Sequence, residues 1–298
     1  MDISGTWNGL TKRNMSTNVS SSISVEWPKA STTELVLVFA FSLLCWHLLV
    51  SLALPRIQLR ASQMEFWEAI KLRSGTLAGN GQDDITLMSI LAIHHLTSGS
   101  LCVLGDYLHL PFVFRLGAML ELGFEVSDTV ALFRGEWPHQ PDKEPLLMRI
   151  ALFAHHLPGM TLIVPLFYTG YYSNAHIRAV GSWLLFAGGI SSLGAFLVYT
   201  RNFANKREMQ QAAMIQAISG LFFVYARFLV FPVEMYTFAE ELASGNLFTG
   251  ANTVRIMGVF MTIFNVIVLK TNLIKTIKYL IKAFVSDGVE VNDLSKQD

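Results

Sequence analysis

Two pairs of adjacent histidines are the side chains in this sequence best suited to chemistry. His155 and His156 lie in the apolar run RIALFAHHLPGMTLIVPLF, and His94 and His95 lie in SILAIHHL. An imidazole beside a carboxylate can accept or donate a proton near neutral pH, as a general base or a general acid. Because a polar side chain in so apolar a run needs a partner, each pair is a candidate functional site.

Three carboxylates could be these partners. Glu121, Glu125 and Asp128 are spaced i, i+4 and i+7, which places them on one stripe of a helix. Each would cost about 2.5–3.5 kcal/mol at the centre of a bilayer if it faced lipid, so the stripe must face protein. At a rise of about 1.5 Å per residue, Glu125 and His155 both lie about 12 Å from the same membrane face. We therefore expect histidines and acids to meet in one layer.

Arg227 lies in the apolar stretch GLFFVYARFLVFP. Its guanidinium remains charged at any relevant pH and therefore needs an anionic or multiply accepting partner. Glu121 is closest to it in predicted depth and is the expected partner in a structural ion pair. Alternatively, Arg227 binds a lipid headgroup or a thioester oxygen.

The polar residues allow three interpretations. In the first, histidines and acids hydrogen-bond between helices and only fix their packing. In the second, they carry out acid–base chemistry. In the third, they ligate a metal, but adjacent histidines point about 100° apart on a helix and rarely bind one ion. We therefore predict no metal, and the cofactor stays open.

Composition identifies the kind of protein that must position these residues. Of 298 residues, 52% are hydrophobic and 15% are charged, and the mean hydropathy is +0.43. These values exceed those of ordinary soluble domains and indicate a multi-pass membrane protein. The 22 basic and 22 acidic residues balance, so no overall field attracts nucleic acid, and nucleic acid is excluded as a partner.

Seven segments are long and apolar enough to span a bilayer as helices, which requires about 20 residues. The predicted fold is therefore an all-α polytopic membrane protein with seven transmembrane helices. The predicted spans are 34–54, 84–109, 111–133, 146–172, 176–201, 211–238 and 250–272. Residues 1–33 form a polar N-terminal tail, and 55–83 form a cytosolic loop in which MEFWEAIKLRSG predicts an interfacial helix. The bundle covers residues 84–283, and 284–298 form a cytosolic tail.

Basic residues collect in every second connection, which predicts the orientation. They occur in the first, third and fifth connections and in the C-terminal tail, whereas the alternate connections are nearly free of them. The N-terminus is therefore predicted to be luminal and the C-terminus cytosolic. Sequons at Asn14 and Asn18 agree with a luminal N-terminal tail.

Five short motifs, in order, resemble the TLC domain family, which includes the ceramide synthases and smaller TLC-domain proteins. They are SILAIHHL, GFEVSD, LFAHHLPG, GGISSLGAF and FFVYARFLVFP, and the resemblance covers about residues 84–272. The chain departs from the family at Gly189, where the family has glutamate, although Ser191 is retained. In a second alignment of the motifs, Phe124 replaces a signature histidine and Glu125 an aspartate, while Asp128 is retained.

The resemblance implies a TLC-type helical barrel whose cavity binds membrane lipid, either a sphingolipid or a fatty-acyl lipid. It further implies ceramide-synthase-like N-acyl transfer from acyl-CoA, with a histidine and an acid as general base. The expected catalytic residues are His155, His156, Glu125 and Asp128. The expected lipid-binding or structural cluster consists of His94, His95, Glu121, Ser191 and Arg227.

Two alternatives from other classes stay open. One is a non-catalytic lipid-binding subunit that works with a membrane-protein partner. The other is a heptahelical, metal-dependent hydrolase of the ceramidase type. In each case the expected location is the endoplasmic reticulum or the plasma membrane.

The orientation can be tested with tags at the two termini. In sealed microsomes, protease should digest a C-terminal tag and spare an N-terminal one, because only the C-terminus faces the cytosol. Permeabilised microsomes, in which both tags should be lost, are the control. Protection of the C-terminal tag in sealed vesicles would refute the predicted orientation.

Overall fold

The computed structural model describes residues 27–53, 56, 81–136, 146–203 and 205–285. Within these residues the protein is entirely helical, which confirms the predicted all-α class. A π-helical turn, Leu49–Ala53, extends α1, and another, Tyr225–Val230, joins α6 to α7. The helices are α1 Thr32–Leu48, α2 Gly81–Tyr107, α3 Pro111–Arg134, α4 Leu146–Thr169, α5 Ala175–Tyr199, α6 Lys206–Val224, α7 Phe231–Ser244 and α8 Phe248–Phe284.

Six helical stretches in the described residues are long and apolar enough to cross a membrane. They correspond to α1, α2, α4, α5, the continuous stretch from α6 through α7, and α8. The remaining predicted span, α3, is also long enough, with 24 residues. It is not among the six, because Glu121, Glu125 and Asp128 fall in its most apolar part.

Six helical segments form a closed ring around the centre of the molecule, with the continuous stretch α6–α7 counted as one segment. Each packs against the next in the order α3, α2, α5, α6–α7, α8 and α4, and α4 packs against α3 again. The outer faces carry large exposed apolar side chains, such as Phe133 at 69% and Leu221 at 71% exposure. An apolar outer face around a polar interior is the arrangement that a bilayer requires.

The first helix lies outside this ring, against α3. Ser42 is buried there and donates a hydrogen bond to the carbonyl oxygen of Leu120, at 3.2 Å. A Cβ atom at Gly123 would lie 1.9 Å from Ser42 Oγ, so a glycine is needed for this approach. Small residues that let two backbones approach closely are typical of helix contacts in membranes.

Trp27 closes one end of the ring, which we call the Trp27 end. Its side chain is buried and packs edge-to-face against Phe114 and Tyr172. Arg115 donates a hydrogen bond to the carbonyl oxygen of Pro28 at 2.9 Å and another to the Tyr172 hydroxyl, which itself donates to Pro28. Burial raises the pKa of the Tyr172 phenol, so this donor stays protonated.

Charged pairs surround this closure. Arg115 forms an ion pair with Glu34 at 2.7 Å, and Arg178 forms one with Asp106 at 2.5 Å. The Arg178 guanidinium also lies 4.5 Å from the centre of the Trp27 ring.

The predicted N-terminal tail of residues 1–33 thus differs from the structure at its end, where the chain from Trp27 packs into the bundle and α1 begins at Thr32. The sequons at Asn14 and Asn18 and the predicted interfacial helix lie outside the described residues.

The close packing of α2 against α5 can be tested by a substitution at Gly99. A Cβ atom at Gly99 would lie 2.4 Å from the backbone nitrogen of Phe186, which cannot move without moving α5. We expect Gly99→Ala to lower the unfolding free energy by about 1–3 kcal/mol, as overpacking does. Thermal unfolding in detergent measures this loss. Gly220→Ala is the control, since the nearest atom is 3.9 Å away, and equal stability of the two variants would contradict the contact.

Candidate functional site

The ring encloses a cavity of about 140 Å³. On this measure about 10–15 Å³ accommodates one water molecule, so the space is on the order of ten waters in size. Its wall is formed by α2, α3, α4, α5, α7 and α8 and by the π-helical turn before α7. Towards the Trp27 end the wall is apolar, and its residues include Phe114, Leu162, Ile163, Leu166, Phe167, Leu184 and Leu185.

The other end of the cavity is polar. Five of the predicted site residues line it, and we call them the polar end: His95, Glu121, Glu125, His155 and Arg227. They come from α2, α3, α4 and the π-helical turn before α7. The structure therefore brings together residues that lie up to 132 positions apart in the sequence, in the layer that the depth estimates predict.

Glu121 is the carboxylate on which the first histidine pair converges. Its Oε2 lies 2.7 Å from His94 Nε2 and 3.2 Å from His95 Nδ1. The His94 ring stacks on Phe124, with ring centres 4.1 Å apart. The expectation that adjacent histidines diverge is thus wrong for this pair, because side-chain torsions bring both rings to one oxygen. Phe124 therefore supports the His94 ring by stacking.

Asp128 pairs with His156 beside the cavity and not within its wall. His156 Nε2 lies 3.5 Å from Asp128 Oδ2, and its Nδ1 lies 3.0 Å from the hydroxyl oxygen of Thr129. Asp128 and His156 are both buried. Of the four residues predicted to be catalytic, these two therefore hold α3 to α4, whereas Glu125 and His155 face the cavity.

Glu125 and His155 each present a polar atom without a protein partner. Glu125 Oε2 and His155 Nδ1 are buried and have no hydrogen-bond partner among the described residues. The His155 ring is fixed by stacking on Phe264, with ring centres 4.1 Å apart. The Glu125 carboxylate lies directly against α4 at Gly159, where an added Cβ would be 1.7 Å from Oε2.

Arg227 completes the polar end, but with a different partner from the one predicted. It donates a hydrogen bond to Asn265 Oδ1 at 3.0 Å and contacts Met261 Sδ at 3.6 Å, both on α8. The predicted ion pair with Glu121 is wrong, because both histidines of α2 already occupy that carboxylate. Arg227 Nε is buried and has no partner in the part of the chain that the structure describes.

The π-helical turn explains how α6 presents Arg227. Pro232 has no N–H, so the regular i to i−4 ladder cannot continue through it. The chain adopts a π-turn just before it, in which the Phe231 N–H donates to the Ala226 carbonyl oxygen. Such turns are common at functional sites because they redirect a side chain without ending the helix.

Ser191 lies apart from the polar end, contrary to its predicted place in the cluster. It lines a separate pocket with Gln216, Asn272 and Lys275. The α5 residue next to the polar end is Gly188, whose added Cβ would lie 3.6 Å from the His95 ring and 3.7 Å from Arg227 Nη2. Ser191 is three positions after Gly188 on α5. It therefore lies almost one turn further along the helix, and its side chain projects from a neighbouring face.

Gly189 lies at a close contact of α5 with α2. An added Cβ there would lie 2.7 Å from the backbone nitrogen of Leu96, on α2. The helices α2 and α5 are too close at this level for a larger side chain. Glycine at this position therefore follows from the packing of the ring.

Sequence reasoning missed Asn265, Thr129 and Gly159. Asn265 is fully buried and holds Arg227. A polar amide within the apolar run MTIFNVIVLK was the signal that could have identified it. Thr129 follows Asp128 on the same stripe, and Gly159 follows Pro158 inside α4, but neither is distinguishable from ordinary helix residues by sequence.

A double-mutant cycle separates the observed partner of Arg227 from the predicted one. Asn265→Leu should cost about 1.5–3 kcal/mol of unfolding free energy, because it removes an acceptor from a buried charge. Most of this cost should vanish in an Arg227→Leu background. Thermal unfolding of the single and double variants gives the coupling. Glu121→Gln is the comparison, and a larger coupling of Arg227 to Glu121 than to Asn265 would contradict the structure.

No protein-family model, no curated protein and no solved structure matches the chain. The resemblance to the TLC domain family is therefore carried by the five motifs quoted above. The functional argument is carried by the geometry of the cavity and its polar end.

Proposed function

We propose that the protein binds the hydrocarbon chain of a membrane lipid in the ring cavity, with the polar group of the lipid at the polar end. One observation carries this proposal. Glu125 Oε2, His155 Nδ1 and Arg227 Nε are buried beside the same cavity without a protein partner among the described residues. Each such atom costs about 1–3 kcal/mol when it is left unsatisfied, and a ligand that bonds to them removes that cost.

The rest of the cavity suits an amphiphile. Its apolar wall extends along α4 from His155 to Phe167, about 18 Å at the helical rise per residue. This length is close to half of a hydrocarbon core of about 30 Å, which is the reach of one acyl chain. The three unpaired atoms include a carboxylate acceptor and a guanidinium donor, so the polar group should offer both a donor and an acceptor.

We place the protein in the membrane with seven spans, a luminal N-terminus and a cytosolic C-terminus. The span added to the six apolar stretches is α3. It is long enough to cross the membrane, and its Glu121 and Glu125 face the ring cavity. The basic connections then face the cytosol. In this orientation Glu125 and His155 lie about 14 Å from the cytosolic ends of their helices, within reach of a thioester that enters from that side.

The resemblance to the TLC domain family supports N-acyl transfer as the reaction. His155, assisted by Glu125, would take the proton of a sphingoid or related amine as its nitrogen attacks the carbonyl carbon of an acyl-CoA. The new N–C bond forms as the C–S bond breaks, and the thiolate of CoA leaves with a proton. Arg227 would hold the carbonyl oxygen as negative charge develops on it.

A non-catalytic lipid-binding subunit is the second candidate. Two observations favour it: Asp128 and His156 pair outside the cavity wall, and Ser191 lines another pocket. Only Glu125 and His155 of the four expected catalytic residues then remain to act on a ligand. Such a subunit would hold the lipid and present it to a membrane-protein partner.

Lipid mass spectrometry of the purified protein tests lipid binding. Glu125→Gln should fold normally, because Oε2 has no protein partner, and should lower co-purifying lipid at least about tenfold, or about 1.4 kcal/mol. Gly159→Ala should have the same effect, since its Cβ displaces the carboxylate. Gly220→Ala is the control and should retain lipid, since Gly220 does not line the cavity and its Cβ would be 3.9 Å from the nearest atom.

Two outcomes would count against the proposal. Wild-type protein without lipid above a detergent blank, or equal lipid in all variants, would refute lipid binding. Incubation of the wild type with acyl-CoA and a sphingoid amine decides between the two candidates. Lipid binding without amide formation would favour the non-catalytic subunit.

A further inference from the structure

Three metal-ligating side chains meet between α2 and α3. One ligand atom each from His94, His95 and Glu121 can be chosen so that all lie within 4.8 Å of one another. His94 and Glu121 are buried, and His95 is half-buried with its ring at the polar end. In the chain segments described, no other set of three histidine, cysteine or acidic side chains is gathered as closely.

His94 and Glu121 meet in a close buried contact. His94 Nε2 lies 2.7 Å from Glu121 Oε2, and among the described residues it has no other partner. The same oxygen lies 3.2 Å from His95 Nδ1, so three possible metal ligands converge on one point. The stacking of His94 on Phe124 and the edge contact with Trp46 hold the ring in this position.

The layer around these ligands is rich in oxygen acceptors. Glu121, Glu125 and Asp128 are buried on one stripe, and Arg227 is the buried guanidinium beside them. A divalent cation beside such carboxylates would favour their ionised forms.

We propose that His94, His95 and Glu121 bind a zinc ion. Two histidines and one glutamate form the ligand set of many catalytic zinc sites, in which the fourth position stays open. Tetrahedral zinc holds donors about 3.3 Å apart at bond lengths of about 2.0–2.1 Å. His95 Nδ1 and Glu121 Oε2 already have nearly this separation at 3.2 Å, whereas His94 Nε2 is closer to that oxygen, at 2.7 Å, and must move away from it to share an ion.

The open position of this site would face the ring cavity. His95 and Glu121 line the cavity, whereas His94 lies behind them. The ion would therefore contact whatever occupies the polar end, and a ligand oxygen or a water could complete its coordination. This inference goes beyond lipid binding and does not depend on it.

Metal analysis of protein purified without chelators tests the proposal. We expect about one zinc ion per chain in the wild type, and at least about a tenfold loss of zinc affinity in Glu121→Gln and in His95→Gln. His155→Gln is the matched control, since His155 also lines the polar end but belongs to the other histidine pair, and it should retain zinc. His95→Asp keeps a ligand atom and should retain zinc. This variant replaces His95→Gln in the test if the glutamine variant does not fold.

Zinc titration after chelation gives the second readout. Added zinc should raise the thermal midpoint of the stripped wild type and leave that of Glu121→Gln unchanged, because only a bound ion stabilises the folded state. Protein without zinc before and after titration would overturn the proposal, as would equal zinc in wild type and Glu121→Gln. Lipid content is measured on the same wild-type sample, so wild-type protein with lipid but without zinc marks failure of the zinc site alone.

Discussion

The acidic stripe of α3 is the constraint on which the interior of this protein depends. Three carboxylates on one face of a helix in so apolar a bundle need partners or a polar cavity, and each is accommodated differently. Glu121 lies against two histidines of α2, and Asp128 pairs with a histidine of α4. Glu125 has no such partner and faces the cavity. The stripe therefore fixes α3 between two neighbours and leaves one charge for a ligand.

Hydropathy and charge spacing predicted the helices, and the physical reason is direct. An apolar run of about 20 residues has few alternatives to a helix in lipid, because every backbone group must be bonded internally. The same reasoning predicted that Glu125 and His155 lie at one level, since helical rise is constant, and both line the polar end of the cavity. The level of a residue along its helix is therefore readable from a sequence of this kind.

The angular arrangement of the helices was not readable in the same way. Arg227 and Glu121 share a depth, but the ring order places α8 and its Asn265 next to the guanidinium. Likewise, Ser191 is on the expected helix but on a different face. The burial of Trp27 was missed because it follows a polar segment, and its contacts come from residues more than 80 positions away. Such contacts depend on the order of helices in the ring, which hydropathy does not encode.

The polar composition of α3 also affects biogenesis. In the proposed arrangement of seven spans, membrane helices leave the insertion channel in chain order, and α3 alone would carry its carboxylates into lipid at a cost of several kcal/mol. The histidines of α2 emerge before it and can receive Glu121, whereas His156 of α4, which receives Asp128, emerges after it. The helix is therefore incompletely compensated until α4 is synthesised. Retention of α2, α3 and α4 together beside the channel, or by an intramembrane chaperone, is what this chain order favours.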